Sequence, residues 1–274
     1  MIIVNVRGGL GNQMFQYACG RALSLRNNDE LSLVRSEYQG DITRKFSLTN
    51  FAIKGKVIES SAVPKFPKLL ARFKQKLTRN FYVGFDSSIL KKRGQTVYLD
   101  GYFQSEKYFQ DFARDIRQDF SLAVPFDCRV AEIASVIKND PHSISLHVRR
   151  GDYVTHPEFG GIVTREYYER AILHIRESVP SAKFYVFSDD IDWCRSELPL
   201  GPDATFVSNP ESKDYEEMSL MSLARHHIIA NSSFSWWGAW LGNNPDKIVI
   251  APKKWSNLHQ NWYKDIIPSI WIRL

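Results

Sequence analysis

Hydrophobic and polar positions follow two rhythms in the second half of the chain. Between residues 143 and 251, short apolar runs alternate with stretches in which apolar residues return every three or four positions. The first rhythm belongs to strands buried on both faces, the second to amphipathic helices. Together they predict strands at 143–149, 183–187, 204–208, 227–230 and 247–251, separated by helices at 165–178, 191–197, 213–225 and 234–242. Strands that alternate with helices need right-handed crossovers, which build a parallel sheet covered on both faces.

The N-terminus opens in the same way. A strand at 2–6 runs into the glycine loop Arg7-Gly8-Gly9-Leu10-Gly11, and a helix follows with Phe15, Ala18, Ala22 and Leu25 at helical spacing. From 31 to 125 the pattern weakens to strand-like runs at 31–34, 57–58 and 97–100 and helix-like stretches at 69–79 and 105–118. Pro125 marks the expected boundary, giving domains 1–125 and 126–274. Neither an internal repeat nor a low-complexity tract is present.

Composition narrows the class. The 274 residues suit at most two domains of roughly 100–200 residues each. Hydrophobic residues at 43% and charged residues at 24% are those of a folded, soluble protein. Cys19, Cys128 and Cys194 are odd in number and lack metal-ligand spacing, so neither a disulfide framework nor a zinc cluster is read, and a reducing compartment fits. Only five apolar residues precede Arg7, too few for a signal peptide or a membrane span, which makes the cytoplasm the expected location. A net charge of +6 suits a phosphorylated partner of some kind, but the basic residues follow no nucleic-acid-binding pattern, and no nucleic acid is expected. Residues 65–79 carry six basic side chains and no acidic one, with leucines at helical spacing. That segment either rests on an anionic membrane as a peripheral contact or packs its leucines on the N-terminal domain.

Ligands of parallel sheets sit at the carboxyl ends of the strands, where the sequence places its least ordinary residues. In HVRRGDY, residues 147–153, two arginines leave a buried strand; a guanidinium fork matches phosphate oxygens, and the competing reading is a salt bridge to Asp152. In NSSFSWWGAW, residues 231–240, Ser232 or Ser233 serves either as an ordinary N-cap or as part of a phosphate site at a helix start, while Trp236, Trp237 and Trp240 read as packing. In FSDDIDW, residues 187–193, Asp190 and Asp192 match the D-x-D pattern of metal-binding glycosyltransferases; Asp189, Asp190 or Asp192 equally caps a helix or accepts from a nucleoside. In GGLGNQ, residues 8–13, Met14 stands where a dinucleotide fingerprint needs its third glycine, so Asn12 and Gln13 read as groups aimed into a cleft.

These motifs, in this order and preceded by RGGLGNQMFQYA, resemble the family 11 α-1,2-fucosyltransferases of bacterial type and, more distantly, the α-1,6- and protein O-fucosyltransferases. The resemblance spans nearly the whole chain. It implies an α/β, GT-B-like fold, two Rossmann-like domains facing a central cleft, with the acceptor on the N-terminal side and GDP-fucose on the C-terminal side. It further implies inverting transfer of L-fucose from GDP-β-L-fucose to the 2-hydroxyl of a terminal galactoside, on an oligosaccharide or a lipid-linked glycan of the O-antigen kind, with no metal and no cofactor. Carried onto this chain, Arg149 holds the β-phosphate beside Arg150. His147 and one of Asp189 or Asp190 hold the nucleoside, Ser232, Ser233, Phe234 and Ser235 meet the phosphates, and Gly11 and Asn12 lie between donor and acceptor. Arg149, Asp152, Glu158 and Asn12 form the expected catalytic set. A proton must leave the attacking hydroxyl, and Asp152, His156 and Glu158 stand just past the arginines; related families place a glutamate near there, favouring Glu158. Two rivals are a metal-dependent transferase using Asp190 and Asp192, and a GDP-sugar-binding module without catalysis.

Overall fold

The structure, a computed structural model, describes residues 1–35, 45–59, 61, 82–94, 96–202 and 204–274. The segment 65–79 and the helix expected at 69–79 lie outside the described residues. Two compact units are present: Met1–Val124 with Asn261–Pro268, and Pro125–Gln260 with Ser269–Leu274. That the stretch 261–268 belongs with the N-terminal unit has no counterpart in the hydropathy pattern.

The first unit is built on four parallel strands, β1 (Ile2–Val6), β2 (Leu31–Arg35), β3 (Lys56–Glu59) and β4 (Val97–Leu99), in the order β3-β2-β1-β4. Helix α1 (Leu10–Asn27) packs on β1 and is buried around most of its circumference, including the polar Gln13 and Gln16. Its approach to the sheet depends on Gly20, where an added Cβ would stand 2.2 Å from Val4 Cγ2. The short helix α2 (Ser87–Leu90) precedes β4, and α3 (Ala113–Asp119) ends in a buried carboxylate that fastens α1. Asp119 Oδ2 accepts from the Tyr17 hydroxyl at 2.7 Å and from Arg21 Nε at 2.9 Å. The helix expected over 105–118 is instead two 3-10 turns, Glu106–Tyr108 and Gln110–Phe112, followed by α3. Phe109, at φ −134°, leaves helical geometry and is fully buried, its ring 6.3 Å from that of Phe15.

The second unit holds six parallel strands, β5 (Ser143–Val148), β6 (Lys183–Ser188), β7 (Thr205–Phe206), β8 (His226–Ile228), β9 (Val249–Ala251) and β10 (Ile272–Arg273), in the order β10-β9-β8-β5-β6-β7. Successive residues of β6 serve opposite faces. Phe184 and Val186 pack with Tyr168 and Ile172 of α5 (Arg165–Ser178) and Cys194 of α6 (Ile191–Glu197). Tyr185 and Phe187 pack with Ile137 of α4 (Cys128–Asn139) and Met221 of α7 (Asp214–Leu223). The last helix, α8 (Ser233–Leu241), follows β8. Within the described residues no helix is long and apolar enough to cross a membrane.

The Gly20 contact generates a prediction about stability. Adding one methyl to a packed interface costs roughly 1–3 kcal/mol, so Gly20→Ala should lower the free energy of unfolding by that order. In a Val4→Ala background, where Cγ2 is gone, the same change should cost distinctly less. Urea titration of the four proteins checks it, and strict additivity would show that the Val4 contact does not set the helix position.

Candidate functional site

The second sheet begins in its middle. β5 is laid down first, β6 and β7 add on one side, and the chain then crosses to add β8, β9 and β10 on the other. Segments leaving the carboxyl ends of β5 and β8 therefore turn away from each other, which opens a crevice at that point. From β5 comes HVRRGDY and from β8 comes NSSFSWW, so topology alone brings the two motifs to one place.

All six residues of β5 are buried, and the two arginines emerge where the strand stops. Arg149 lies between two carboxylates: Nη2 donates to Asp152 Oδ1 at 2.6 Å, and Nη1 stands 2.9 Å from Asp189 Oδ2. The backbone N–H of Arg150 donates to the other oxygen of Asp189 at 2.8 Å. Asp189 thus ties the strand end to the guanidinium that follows it. Gly151 makes this possible, because a Cβ there would stand 2.7 Å from Asp189 Oδ2. Arg150 is differently placed: Nε donates to Asp190 Oδ2 at 2.9 Å, and the guanidinium carbon lies 4.3 Å from the centre of the Trp193 ring. Asp190 also caps α6, its Oδ1 accepting from the Trp193 N–H at 3.1 Å. The Arg150 hydrogen bond, aided by that cap, holds the Asp190 carboxyl below the usual carboxylate range. Asp192, by contrast, projects into solvent with Arg195 3.6 Å away, so the two carboxylates of D-x-D have different surroundings.

His147 is 5% exposed, its ring 5.5 Å from that of Phe234, and its Nδ1 has no hydrogen-bond partner. Burial, reinforced by the Arg149 charge, pushes its pKa down to about 3. At neutral pH it is an uncharged ring with one donor and one acceptor. Tyr168 OH donates to the His147 carbonyl at 3.2 Å and holds this last turn of strand in place.

On the β8 side, Ser232 caps α8 by accepting from the Phe234 N–H at 3.3 Å, and Ser235 Oγ donates back to the Ser232 carbonyl at 3.3 Å. Trp236, Trp237, Trp240 and Trp271 are buried against one another and anchor the body of the helix, so packing accounts for the tryptophans. The N-terminal turn is partly exposed at Ser233 and Phe234, and the start of a helix carries partial positive charge.

Glu158 belongs to the loop after the arginines and is tied to the segment following β9. Ser256 Oγ donates to Glu158 Oε1 at 3.0 Å, and the Asn257 N–H donates to the Glu158 carbonyl at 2.7 Å. His156 Nδ1 accepts from the Glu158 N–H at 3.1 Å, so in the neutral ring Nε2 is the N–H donor. Gly11 and Asn12 lie in the first unit, in the first turn of α1. Sequence reading missed Ser256 and Tyr168, which carry no motif; Asn231, which opens NSSFSWWGAW but is given no role of its own there, has a buried Oδ1 without a partner while Nδ2 donates to the Phe159 and Trp255 carbonyls at 3.2 Å.

Comparison with known proteins adds what geometry alone does not carry. The model of the family described as glycosyl transferase family 11 matches residues 1–274. The chain belongs to glycosyl transferase family 11. An α-1,2-colitosyltransferase of Escherichia coli is 34% identical over 295 residues, covering 100% of this chain and 99% of that protein. The O-antigen biosynthesis glycosyltransferase WbnK of Escherichia coli is 32% identical, covering 90% and 92%. The mouse galactoside 2-α-L-fucosyltransferase Sec1 is 26% identical over 92% of this chain and 67% of its own. Among solved structures, NodZ α-1,6-fucosyltransferase soaked with GDP-fucose superposes with a TM-score of 0.54 at 15% identity, covering 88% of this chain and 91% of that one. The α/β, GT-B-like fold class expected of the family 11 chain is the one found, and the chain is a glycosyltransferase.

Burial of His147 has a consequence for stability. His227, fully buried with Nδ1 3.0 Å from Ser145 Oγ, is also held well below its usual value, chiefly by burial. An unfolded chain binds protons at both rings below about pH 6.5 while the folded chain does not, so stability present above that pH is lost as pH falls. Each ring should contribute a slope of up to about 1.4 kcal/mol per pH unit. Unfolding free energies measured from pH 7 to 4.5 should decline, and the decline should be shallower in His147→Asn and in His227→Asn. Parallel curves for all three proteins would contradict the assignment.

Proposed function

We propose that this family 11 enzyme transfers L-fucose from GDP-β-L-fucose to the 2-hydroxyl of a terminal galactoside, with inversion and without a metal. The observation that carries the reading is the Arg149 fork and the partly exposed start of α8 meeting at one topological switch point. Departing GDP gathers negative charge on its β-phosphate, and a fixed guanidinium with helix N–H groups stabilises that charge more as the bond breaks than before. Arg149 takes this role, while Arg150 is already committed to Asp190 and Trp193. Asp189 and Asp152 orient the Arg149 fork, and the exposed Asp152 gives up its nitrogen to a phosphate oxygen. His147, Asp189, Asp190, Arg150 and the Ser232–Ser235 turn complete the donor side as the resemblance assigns them, and the resemblance gives Gly11 and Asn12 their part in donor binding. Glu158, held by Ser256, receives the proton of the attacking hydroxyl. With Asp190 occupied by Arg150 and by the α6 cap, cationic help comes from side chains and backbone.

The whole-length similarity to the colitosyltransferase favours one variation, transfer of colitose in place of fucose. The O-antigen name of the second relative makes a bacterial surface glycan the natural acceptor class. A screen of nucleotide sugars with lactose, followed by linkage analysis of the product, tests the reading. Transfer from GDP-fucose should form the α-1,2 product and persist in excess EDTA; abolition by EDTA with rescue by Mn²⁺ would move the metal-site assignment to Asp190 and Asp192.

Arg149→Lys should lose about 10²–10³ in kcat, nearly as much as Arg149→Ala, since an ammonium lacks the planar fork. Gly151→Ala should weaken GDP binding by displacing Asp189, with little change in melting temperature. Steady-state kinetics and calorimetric titration of GDP check both, and near-wild-type turnover in Arg149→Lys would remove this arginine from the phosphate site.

A further inference from the structure

The first unit likewise has its first strand inside the sheet. β1 carries β2 and β3 on one side and β4 on the other, and the segments that follow β1 and β4 come together beyond the carboxyl edge, where Phe109 and Asp119 pack on α1. Arg7, Asp100, Tyr102 and Gln104 stand at that edge, met by Asn12 and Gln16 from the first turns of α1. These side chains hold one another. Arg7 Nη2 lies 3.2 Å from Asp100 Oδ1, the Arg7 N–H donates to Gln16 Oε1 at 2.8 Å, and Gln104 Nε2 donates to Asn12 Oδ1 at 2.7 Å. The Arg7 guanidinium carbon stands 5.2 Å from the Tyr102 ring centre.

The set does not close on itself. Gln104 is 8% exposed and Gln16 0%, yet Gln104 Oε1 accepts from nothing and Gln16 Nε2 donates to nothing. Arg7 Nε and Nη2 likewise form no hydrogen bond, because the approach of Nη2 to Asp100 is close without being aligned. Exchanging nitrogen and oxygen does not cure this: turning Gln16 would set a donor against the Arg7 N–H, and turning Gln104 would set an acceptor against Asn12 Oδ1. Folded proteins leave few buried polar atoms unpaired, and a cluster of them calls for an occupant.

The chemistry of that occupant follows from the charges. Asp100 beside Arg7 cancels the cation, so the place suits a neutral molecule and disfavours a phosphate. An unpaired acceptor on Gln104 with unpaired donors on Gln16 and Arg7 matches hydroxyl groups, each of which donates and accepts, and Tyr102 adds a half-buried aromatic face. We propose that this cluster is the acceptor subsite, in which Gln104, Gln16 and Arg7 hydrogen-bond ring hydroxyls of the acceptor saccharide and set its specificity. The assignment rests on the reading that a galactoside is the acceptor.

The test uses the full chain with lactose as probe, in Gln104→Met and Arg7→Lys, each checked by thermal melting. Lactose KM at saturating GDP-fucose should rise about tenfold in either variant, with GDP affinity unchanged within twofold. Lactose binding followed by saturation-transfer NMR in the presence of GDP should weaken in parallel. Variants should also discriminate less than the parent against the monodeoxy-galactoside lacking the hydroxyl that the altered side chain held. A folded variant with lactose KM within twofold of the parent overturns the proposal, as does GDP affinity falling alongside KM; the unpaired atoms would then serve structural water. Should Gln104→Met not fold, Arg7→Lys, at a partly exposed side chain, decides. If the parent binds lactose but transfers no fucose to it, the functional reading fails and the NMR binding of the variants alone judges the subsite. If the parent neither binds nor transfers, both fail.

Discussion

Right-handed crossover connections are the constraint on which the rest of this molecule depends. A parallel sheet whose first strand ends up in the interior must grow outward on one side and then cross over to grow on the other. Both units do this, at β5 with β8 and at β1 with β4. In the second unit the gap at the carboxyl edge is therefore a product of chain geometry, present before any side chain is chosen. What selection by chemistry adds is the identity of the few residues that line each edge. Those residues sit on loops immediately after strands buried on both faces, so their positions inherit the rigidity of the sheet.

At the β5 edge the sequence solves an electrostatic problem along with a binding one. Two guanidinium groups side by side repel, and each is matched by a carboxylate from the segment after β6. Exposed pairs of this kind add little stability on their own, about 0–1 kcal/mol. Their effect is directional. Arg150 is drawn over Trp193 and into the cap of α6, while Arg149 is held between Asp189 and the exposed Asp152. One arginine becomes part of the wall and the other keeps a fork that an anion can share.

The strands and helices of the second unit were legible because hydrophobic periodicity there is strong: helices at 165–178 and 191–197 coincide with α5 and α6. α4 escaped notice because it buries only Ala134 and Ile137, although Asp127, whose carboxylate caps it by accepting from the Val130 N–H at 3.0 Å, was a readable start signal. β10 is two residues long and carries no pattern. For the site, the motifs were readable as strings, but their partners were not. That Asp189 would take the Arg149 fork while Asp190 took Arg150 depends on the β5–β6 register, in which His147 stands opposite Phe187 and Val148 opposite Ser188. Nothing in the spacing of the aspartates distinguishes the two. The tie between Glu158 and Ser256 joins residues 98 apart through two loops, beyond the reach of any local rule.

The carboxyl edges at β5 and at β1 also set an arginine in different surroundings. Each places an arginine just past its first strand, Arg149 in one unit and Arg7 in the other. At the first, the guanidinium sits by the partly exposed start of a helix whose N–H groups add positive potential, and one of its carboxylate partners is itself exposed and displaceable. At the second, the carboxylate is buried at the end of β4 and is also held by Asn5, whose Nδ2 donates to Asp100 Oδ1 at 3.0 Å. A buried, doubly engaged carboxylate is not displaced by an incoming anion, because freeing it would leave a charge unpaired away from water. The exposure of the arginine's partner, more than the arginine itself, thus decides whether the edge suits a charged or a neutral guest.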